Sequence, residues 1–416
     1  MNEIRNLIQY KLLERLDSSI LNVSNFNDKR EKLIMEILNL LKQEKIILSK
    51  TQINMLMENL INSILGLGIL EPLINDDEIS EVMVNGKNYI YIEKEGHIYQ
   101  TNIRLSSDKQ LYHLIDKIIS PLGLRVDESS PMVDARLPDG SRINVIIPPL
   151  SLIGPVITIR KFNLKLFSLD QLVKLGTLNY KIVQFLKAVI LGRCNIIISG
   201  RTGSGKTTFL NALSTIISPD ERLITIEDAA ELKLAQLHII TLESRPPNIE
   251  GKGEITIRDL VRNALRMRPD RIIIGEVRGK EALDMLQAMN TGHEGSLATV
   301  HANSPKDLIS RLETMTLMSD INLSTNSVKR MIAAALHLII HLDRFPDGKR
   351  RITNISEVLF NNKEIEVKDI LVFKQEGVNS NGGVLGNFLP TGYIPNFYNK
   401  LILRGIELND EIFNKV

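Results

Sequence analysis

The stretch Asn195-Ile-Ile-Ile-Ser-Gly200-Arg-Thr-Gly-Ser-Gly-Lys206-Thr207 carries an apolar run directly into a glycine-rich turn. From Gly200 onward it matches the pattern G-x-x-x-x-G-K-[ST] in full, with a predicted strand before it and a predicted helix after it. In this pattern the glycines let backbone N–H groups surround a phosphate, the lysine supplies a positive charge, and the final hydroxyl binds Mg²⁺. The sequence therefore predicts a nucleotide phosphate site. Its predicted members are Gly200, Arg201, Thr202, Gly203, Ser204, Gly205, Lys206, Thr207 and Thr208.

Predicted strands and helices alternate around this turn. Such alternation is typical of a parallel sheet covered by helices, so we predict an α/β fold for this part of the chain. The predicted segments are Asn195–Ser199, Lys206–Ile217, Leu223–Glu227, Ile257–Met267, Ile272–Gly275, Glu281–Met289 and Leu297–Val300.

The chain before this region has two other patterns. Apolar residues recur at helical spacing from Ile4 to about Leu70, which predicts amphipathic helices. Short strands with turn dipeptides follow, with one helix among them, which predicts a small α+β domain. The predicted domains are N-terminal helices (1–62), an α+β domain (63–161), a linker (162–176), a nucleotide-binding domain (177–375) and a C-terminal extension (376–416), in which Val378 to Asn387 is expected to be a mobile loop.

Composition excludes several classes of protein. The chain has 51 basic and 49 acidic residues, a formal charge of +2, which gives no electrostatic footprint for nucleic acid. One cysteine, Cys194, excludes a disulfide framework and a four-cysteine zinc module. Charged residues interrupt the N-terminus, and the longest apolar run, Met331 to Leu342, is shorter than the ~18 residues of a membrane span. We therefore expect a cytoplasmic protein that meets a membrane only through partners.

Acidic residues follow two of the predicted strands. Glu227 and Asp228 end one of them, and Glu276 ends another. In a parallel sheet the carboxyl ends of strands face the nucleotide crevice, where acids hold Mg²⁺ through water and orient the attacking water. Alone, each acid would be interpreted as a solvated strand end. Beside a phosphate loop the catalytic interpretation is favoured.

Two histidines and a set of arginines leave alternatives open. His293 and His301 bracket the last predicted strand, and each is either structural or a sensor of the γ-phosphate. Arg258, Arg262 and Arg266 lie four apart, which predicts a stripe on one helical face that is solvated or paired with carboxylates. A nucleic-acid surface is the alternative, and the scarcity of aromatic residues disfavours it.

Eight further stretches extend the pattern to other parts of the chain. They are Gly68-Ile-Leu-Glu-Pro-Leu, Glu81-Val-Met-Val-Asn-Gly, the run from Asp127 to Arg142, Thr158-Ile-Arg-Lys-Phe, Ile226-Glu-Asp-Ala-Ala-Glu-Leu, Arg245-Pro-Pro-Asn, the run from Arg266 to Arg278, and Thr291 to Asn303. Together with the phosphate loop they resemble the type II/type IV secretion ATPases, and within them the CpaF/TadA branch that serves tight-adherence (Flp) pili. The resemblance covers the chain from about Leu65 to its C-terminus.

This resemblance implies an N-terminal docking domain and a RecA-like motor domain that binds ATP and Mg²⁺ and assembles as a homohexamer. It implies inner-membrane platform proteins as partners, at the inner face of the cytoplasmic membrane, and no nucleic acid. By the same resemblance Thr207, Glu227 and Glu276 hold Mg²⁺, partly through water. Matching the motifs residue by residue gives the expected catalytic set: Glu227, Glu276, Lys206, Arg142, Arg160 and His301.

The expected function is a hexameric motor that hydrolyses ATP to drive assembly, and also retraction, of a tight-adherence pilus or a related type II secretion apparatus. A conjugation-type secretion ATPase is the sibling alternative. A nucleic-acid translocase on the same fold is a third, which the charge balance disfavours. A nucleotide-binding regulator without turnover is a fourth, and the acids Glu227 and Glu276 argue against it.

Overall fold

The computed structural model describes residues 4, 7–8, 11–12, 26–64, 67–94, 96–137, 139–162, 167–245, 247, 252–319, 321–380 and 382–415. The chain divides into two compact units, Met1–Asn163 and Leu164–Val416. Both units contain helices and a sheet, so the predicted α/β class is confirmed. The division falls within the predicted linker, whereas the finer division into five parts stays a prediction.

The first unit begins with amphipathic helices. The helices α1 (Phe26–Gln43) and α2 (Lys50–Ile64) bury one apolar face each, and the described residues before residue 26 are also helical. The remainder of the predicted first helix lies outside the described residues. The shared core of these helices consists of Ile8, Leu12, Leu33, Ile37, Leu40, Leu41, Leu56, Leu60 and Ile61.

An antiparallel sheet in strand order β3-β2-β1-β6-β5-β4 forms the rest of the first unit as described. Alternate residues such as Ile143 and Ile159 point to one face and pack against the helix α4. The side chain of Ser107 caps α4 by accepting a hydrogen bond from the N–H of Gln110. The bounds are α3 (Glu71–Ile74), α4 (Asp108–Ile119), β1 (Ile79–Asn85), β2 (Tyr89–Lys94), β3 (His97–Gln100), β4 (Met132–Arg136), β5 (Arg142–Ile146) and β6 (Val156–Arg160).

The second unit is built on a larger sheet, in strand order β15-β14-β13-β12-β7-β11-β10-β8-β9. The strands from β12 to β9 are parallel, and β13, β14 and β15 continue the sheet with antiparallel pairing. All five residues of β7 are buried, as expected for a central strand. The bounds are β7 (Ile196–Gly200), β8 (Leu223–Glu227), β9 (Ile239–Glu243), β10 (Arg271–Val277), β11 (Leu297–His301), β12 (Leu338–Arg344), β13 (Arg350–Asn361), β14 (Glu364–Val378) and β15 (Val384–Pro390).

Helices cover both faces of this sheet, and each face has its own apolar core. The carboxyl ends of the parallel strands therefore form one edge that is free to carry polar side chains. The helices are α5 (Leu169–Lys174), α6 (Tyr180–Leu191), α7 (Lys206–Ser214), α8 (Ile257–Ala264), α9 (Glu281–Asn290), α10 (Pro305–Leu317), α11 (Thr325–Ala335) and α12 (Tyr398–Leu403).

The predicted linker 162–176 differs from the structure at its C-terminal side. Residues 169–174 form the helix α5, which begins with a capping box between Ser168 and Gln171. Leu169 and Leu172 are buried in the core of the second unit. Because these leucines leave water, this segment belongs to the second unit and is not a free connection.

The expected C-terminal extension 376–416 is also part of the second unit. Phe413 packs edge-on against Phe185 of α6, with ring centroids 6.1 Å apart, and Leu401 is fully buried. The expected mobile loop from Val378 to Asn387 is instead the end of β14, a turn, and most of β15. Its glycines shape the turn: Gly382 has a φ of 78°, which other residues rarely adopt.

Candidate nucleotide-binding site

The phosphate loop lies between β7 and α7, as the sequence predicts. Gly200 has a φ of 154°, and a Cβ built on it would lie 2.3 Å from the carbonyl oxygen of Leu342. Gly205 has a φ of 90° and occupies the position just before the helix. Glycine is therefore required at both positions. The N–H groups of the loop lie next to the N-terminus of α7. Such a terminus favours an anion.

Two side chains of the loop fit a phosphate. The Nζ of Lys206 donates hydrogen bonds to the carbonyl oxygens of Gly200 at 3.0 Å and Arg201 at 3.1 Å, which holds it over the loop. The Oγ of Ser204 is buried and lacks a hydrogen-bond partner among the described residues. A buried hydroxyl of this kind is costly unless a ligand supplies the partner. Thr207 and Thr208 are half-buried in the first turn of α7.

Glu276 is aimed by a β-bulge at the end of β10. The pairing with β11 shifts between Ile274 and Val277, so Gly275 and Glu276 lie opposite the single residue Thr299. The hydroxyl of Thr299 donates to the carbonyl of Gly275 at 2.5 Å. A bulge turns the strand locally and redirects a side chain, and such bulges are common beside active sites.

His301 links Glu276 to Lys206. Its Nε2 lies 2.6 Å from a carboxylate oxygen of Glu276, and its Nδ1 lies 3.4 Å from the Nζ of Lys206. Burial and the positive charge of Lys206 lower the pKa of His301 below its usual value of 6.5, so the ring is neutral at pH 7. A neutral ring that carries its proton on Nε2, the nitrogen next to Glu276, presents the lone pair of Nδ1 to the ammonium group of Lys206.

Glu276 is also held by Arg278. Burial alone would raise the pKa of Glu276, but the hydrogen bond from Arg278 and the nearby charges of Arg278 and Lys206 lower it overall. Glu276 is therefore ionised at neutral pH. Arg278 extends the chain of contacts to Asp228, whose carboxylate lies 3.6 Å from the guanidinium group.

Glu227 occupies a different environment from Glu276. It is 3% exposed, and its carboxylate accepts hydrogen bonds from the N–H groups of Glu231 and Leu232 at 3.0 to 3.2 Å. A Cβ on Gly275 would lie 2.6 Å from the Cγ of Glu227, so the glycine makes room for this side chain. In this conformation Glu227 fixes the segment after β8.

A model of the type II/IV secretion system protein family matches residues 64–377. The chain belongs to this family. The phosphate loop, Glu227, Glu276 and His301 all lie within the matched residues. The general secretion family predicted from the sequence is thereby confirmed, whereas the CpaF/TadA branch stays a proposal.

Relatives of this secretion-family chain include two conjugal transfer proteins. A putative conjugal transfer protein of Mycobacterium tuberculosis, Rv3659c, is 35% identical over 297 residues, which are 70% of this chain and 84% of that protein. The probable conjugal transfer protein TrbB of Sinorhizobium fredii is 33% identical over 289 residues, which are 68% of this chain and 85% of that protein. Both are similar to this chain over most of their length.

Solved structures of similar fold include an ATPase and a pilus retraction motor. The ATPase DotB of Legionella pneumophila is 22% identical, with a TM-score of 0.51 over 71% of this chain and 80% of that one. The pilus retraction motor PilT with bound ADP is 22% identical, with a TM-score of 0.51 over 72% of this chain and 83% of that one. At this identity the likeness shows the fold alone.

Most of the arginines noted in the sequence of this secretion-family protein have structural partners. Arg258 and Arg262 both bind the buried carboxylate of Asp284, at 2.9 and 2.7 Å, which confirms the carboxylate-paired stripe for these two residues. Arg266 follows the end of α8. Arg271 is 1% exposed and donates to both oxygens of Glu221 at 2.7 and 2.9 Å.

His293 lies outside the contacts that join His301, Glu276 and Lys206. Its carbonyl oxygen accepts a hydrogen bond from the hydroxyl of Ser296 at the start of β11. The two histidines of the motif therefore occupy opposite ends of β11, and His301 is the one at the carboxyl end, beside the phosphate loop.

Arg142 and Arg160 lie in the first unit, directly opposite each other on β5 and β6. Arg136 on β4 pairs with Arg142, and Glu81 on β1 pairs with Arg160, so one row across the sheet carries three arginines and an acid. Like charges directly opposite each other destabilise a sheet unless anions compensate them. Glu81 interacts favourably with Arg160, and the nucleotide role of the two predicted arginines stays a prediction.

One contact of the phosphate loop was absent from the sequence prediction. The Nε of Arg350, at the start of β13, donates to the carbonyl of Gly203 at 3.0 Å. Arg278 was noted in the sequence, but its partners Glu276 and Asp228 were not predicted. The sequence gives no signal for the contact of Arg350 with the loop. This contact depends on antiparallel pairing between β12 and β13, which lie far along the chain from the loop.

Proposed function

We propose that this chain hydrolyses ATP at the phosphate loop between β7 and α7 and uses the energy to drive a secretion or pilus machine. The observation that supports this most is the contact chain from Lys206 through His301 to Glu276. It places a cation and an ionised carboxylate on either side of a neutral imidazole, next to a loop shaped for phosphate. A site that only binds a nucleotide would not need the carboxylate of Glu276 beside the phosphate loop.

Each group has a separate role in the proposed reaction. Lys206, the hydroxyl of Ser204 and the loop N–H groups bind the phosphates and stabilise the charge that develops on them. The carboxylate of Glu276 orients the attacking water and accepts its proton. His301 fixes the direction of Glu276 relative to Lys206, through its two ring nitrogens.

Mg²⁺ is the metal that fits this set of residues. The hydroxyl of Thr207 and the carboxylates of Glu276 and Glu227 are oxygen donors, which Mg²⁺ prefers. When bound, Mg²⁺ neutralises phosphate charge in the reaction. Because Glu227 is engaged by backbone N–H groups, its part in holding the metal would be through water or would need its side chain to turn.

The test of this proposal is phosphate release by the purified full chain with ATP. We expect turnover that requires Mg²⁺ and that duplex or single-stranded DNA does not raise. Thr207→Ala should lower turnover at low Mg²⁺ and partly recover as Mg²⁺ is increased. Nucleotide binding without turnover would contradict the ATPase proposal and favour a regulator. A salt-sensitive stimulation of several-fold by DNA would favour a translocase.

For the machine itself we propose tight-adherence (Flp) pilus assembly. In this proposal a homohexamer works with inner-membrane platform proteins at the cytoplasmic face of the membrane. Within the described residues no helix is both long enough and apolar enough to cross a bilayer. The stretches Glu128-Ser-Ser-Pro and Arg245-Pro-Pro-Asn support this branch. The second candidate, a conjugation-type secretion ATPase, is favoured by the conjugal transfer names of the relatives.

Two observations separate these candidates. Neighbouring genes for two polytopic membrane proteins and a small pilin would support the pilus proposal. A strain without this protein should lose surface pili and retain DNA transfer. Loss of DNA transfer with normal pili would support conjugation instead.

Light scattering of the purified protein with ATP tests the proposed hexameric ring, because a mass of six chains is expected.

A further inference from the structure

A buried histidine, unlike the half-buried His301, lies behind the phosphate loop. His341 is on β12, is 3% exposed, and stands directly beside Ser199 of β7 in the parallel register. It belongs to none of the motifs noted in the sequence, and the proposed reaction does not use it. A buried polar ring in the middle of a sheet is costly unless its nitrogens are hydrogen-bonded.

The ring of His341 has polar partners on two segments. Its Nδ1 lies 2.8 Å from the hydroxyl oxygen of Ser199, and the ring also hydrogen-bonds the backbone of Asn303. Burial lowers the pKa of His341, so the ring is neutral at pH 7. A neutral ring donates from one nitrogen and accepts at the other. The ring therefore donates to the carbonyl of Asn303 and accepts from the hydroxyl of Ser199.

These two partners are next to the proposed reaction site. Ser199 immediately precedes Gly200, the first residue of the phosphate loop, and Asn303 follows His301 by two residues. The same strand β12 supplies the carbonyl of Leu342, which a Cβ on Gly200 would approach to 2.3 Å. Hence β12 contacts the loop through Leu342, and His341 contacts β7 and the segment that follows β11.

We propose that His341 is a positioning residue that holds the phosphate loop and His301 at a fixed spacing. It does so by joining the last residue before the loop to the segment that follows β11. This inference rests on the proposed ATPase function. A displacement of about 1 Å between reacting groups can lower a rate by about a hundredfold, so a single buried contact at this place affects turnover.

The experiment compares three variants of the full chain. His341→Leu removes both hydrogen bonds and keeps an apolar side chain in the sheet. His341→Gln keeps an acceptor for Ser199 and a donor for Asn303. Ser356→Ala is the control, because Ser356 is also fully buried in the same sheet but its hydroxyl donates to Asp369 on β14. All three are compared with wild type for bound ATP per chain, kcat, KM and backbone amide exchange.

For His341→Leu we expect kcat to fall by about tenfold to a hundredfold while one ATP still binds per chain and KM stays within about threefold. Amide exchange without nucleotide should be about tenfold faster at residues 200–206 and 301–303, and unchanged in β13. His341→Gln and Ser356→Ala should remain within about threefold of wild type in every measurement.

Three results would overturn the inference. The first is normal kcat and amide exchange in His341→Leu. The second is a loss of bound ATP in step with kcat, which indicates a merely structural role. The third is an equal effect in Ser356→Ala. If wild type itself does not hydrolyse ATP, the proposed function fails, and the amide exchange of residues 200–206 still decides the role of His341.

Discussion

Replacing Glu276 with glutamine tests the proposed water-orienting role. The carboxylate lies 2.6 Å from the Nε2 of His301 and also accepts a hydrogen bond from Arg278. Glutamine has nearly the same size, so the bulge at Gly275 and the packing around it should persist. What changes is the negative charge, and with it the ability to accept a proton from water.

The expected effect follows from these contacts. General acid–base catalysis contributes about 10² to 10⁴ in rate, and the phosphate loop and His301 remain in the variant, so we expect the lower half of that range. A fall in kcat of about 10² to 10³ corresponds to about 2.7 to 4 kcal/mol of activation free energy. Affinity for ATP should change little, because Lys206 and the loop N–H groups are untouched.

Steady-state phosphate release and equilibrium ATP binding measure the two quantities. Glu407→Gln is the matched control, since Glu407 is an exposed glutamate of the same unit. If Glu276→Gln hydrolyses ATP within about threefold of wild type, Glu276 is only a strand-end acid that holds Arg278. If the Glu276→Gln variant also loses ATP binding, the carboxylate of Glu276 acts in binding ATP rather than in the chemical step.

Three further predictions concern pH, the arginine row and stability. Because the pKa of His301 is lowered, turnover should stay level as the pH is reduced to about 6.5. At lower pH turnover should fall, because the ring protonates and repels Lys206. A pH profile of kcat should show this decrease in wild type and not in His301→Asn. Arg142→Ala and Arg160→Ala should each lower kcat at saturating ATP by about a hundredfold, whereas rates within a few-fold of wild type would show that the row is structural. Glu221→Gln leaves Arg271 buried without its charged partner, so urea unfolding should give a free energy lower by about 3 to 5 kcal/mol, and an unchanged midpoint would contradict this.

The phosphate loop and the position of Glu276 were predictable because their geometry is local. Glycines and a lysine at fixed spacing define the turn around a phosphate, whatever surrounds it. An acid at the end of a parallel strand reaches the same edge as the loop, since the carboxyl ends of such strands meet there. The loop motif is sufficient for the first inference, and the alternation of predicted strands and helices is sufficient for the second.

The contacts of these acids were not predictable, because they depend on pairing between distant segments. The bulge that directs the side chain of Glu276 arises from the pairing of β10 with β11. The sequence of β10 alone does not indicate it. Glu227 and Glu276 look alike in the sequence, yet one binds backbone N–H groups and the other binds His301. Only the fold separates their environments.

The packing of the C-terminal region could not be predicted for a related reason. Residues after 376 have weak periodicity and many polar residues, which is typical of an extension. Phe413 nevertheless fills a space beside Phe185, more than two hundred residues earlier in the chain. Packing between such distant residues is fixed by the shape of the core, and local pattern does not report it.

The most direct test of the central claim is Lys206→Ala, measured by phosphate release and by circular dichroism. The two carbonyl oxygens to which Lys206 donates belong to its own loop, so the fold should survive its loss. The exposed Lys187→Ala, on α6, is the control for losing a lysine. We predict a native spectrum with turnover reduced by at least about a hundredfold, because the charge that compensates the phosphates is gone. Retention of most of the wild-type turnover would contradict the assignment of the phosphate loop as the site of ATP hydrolysis.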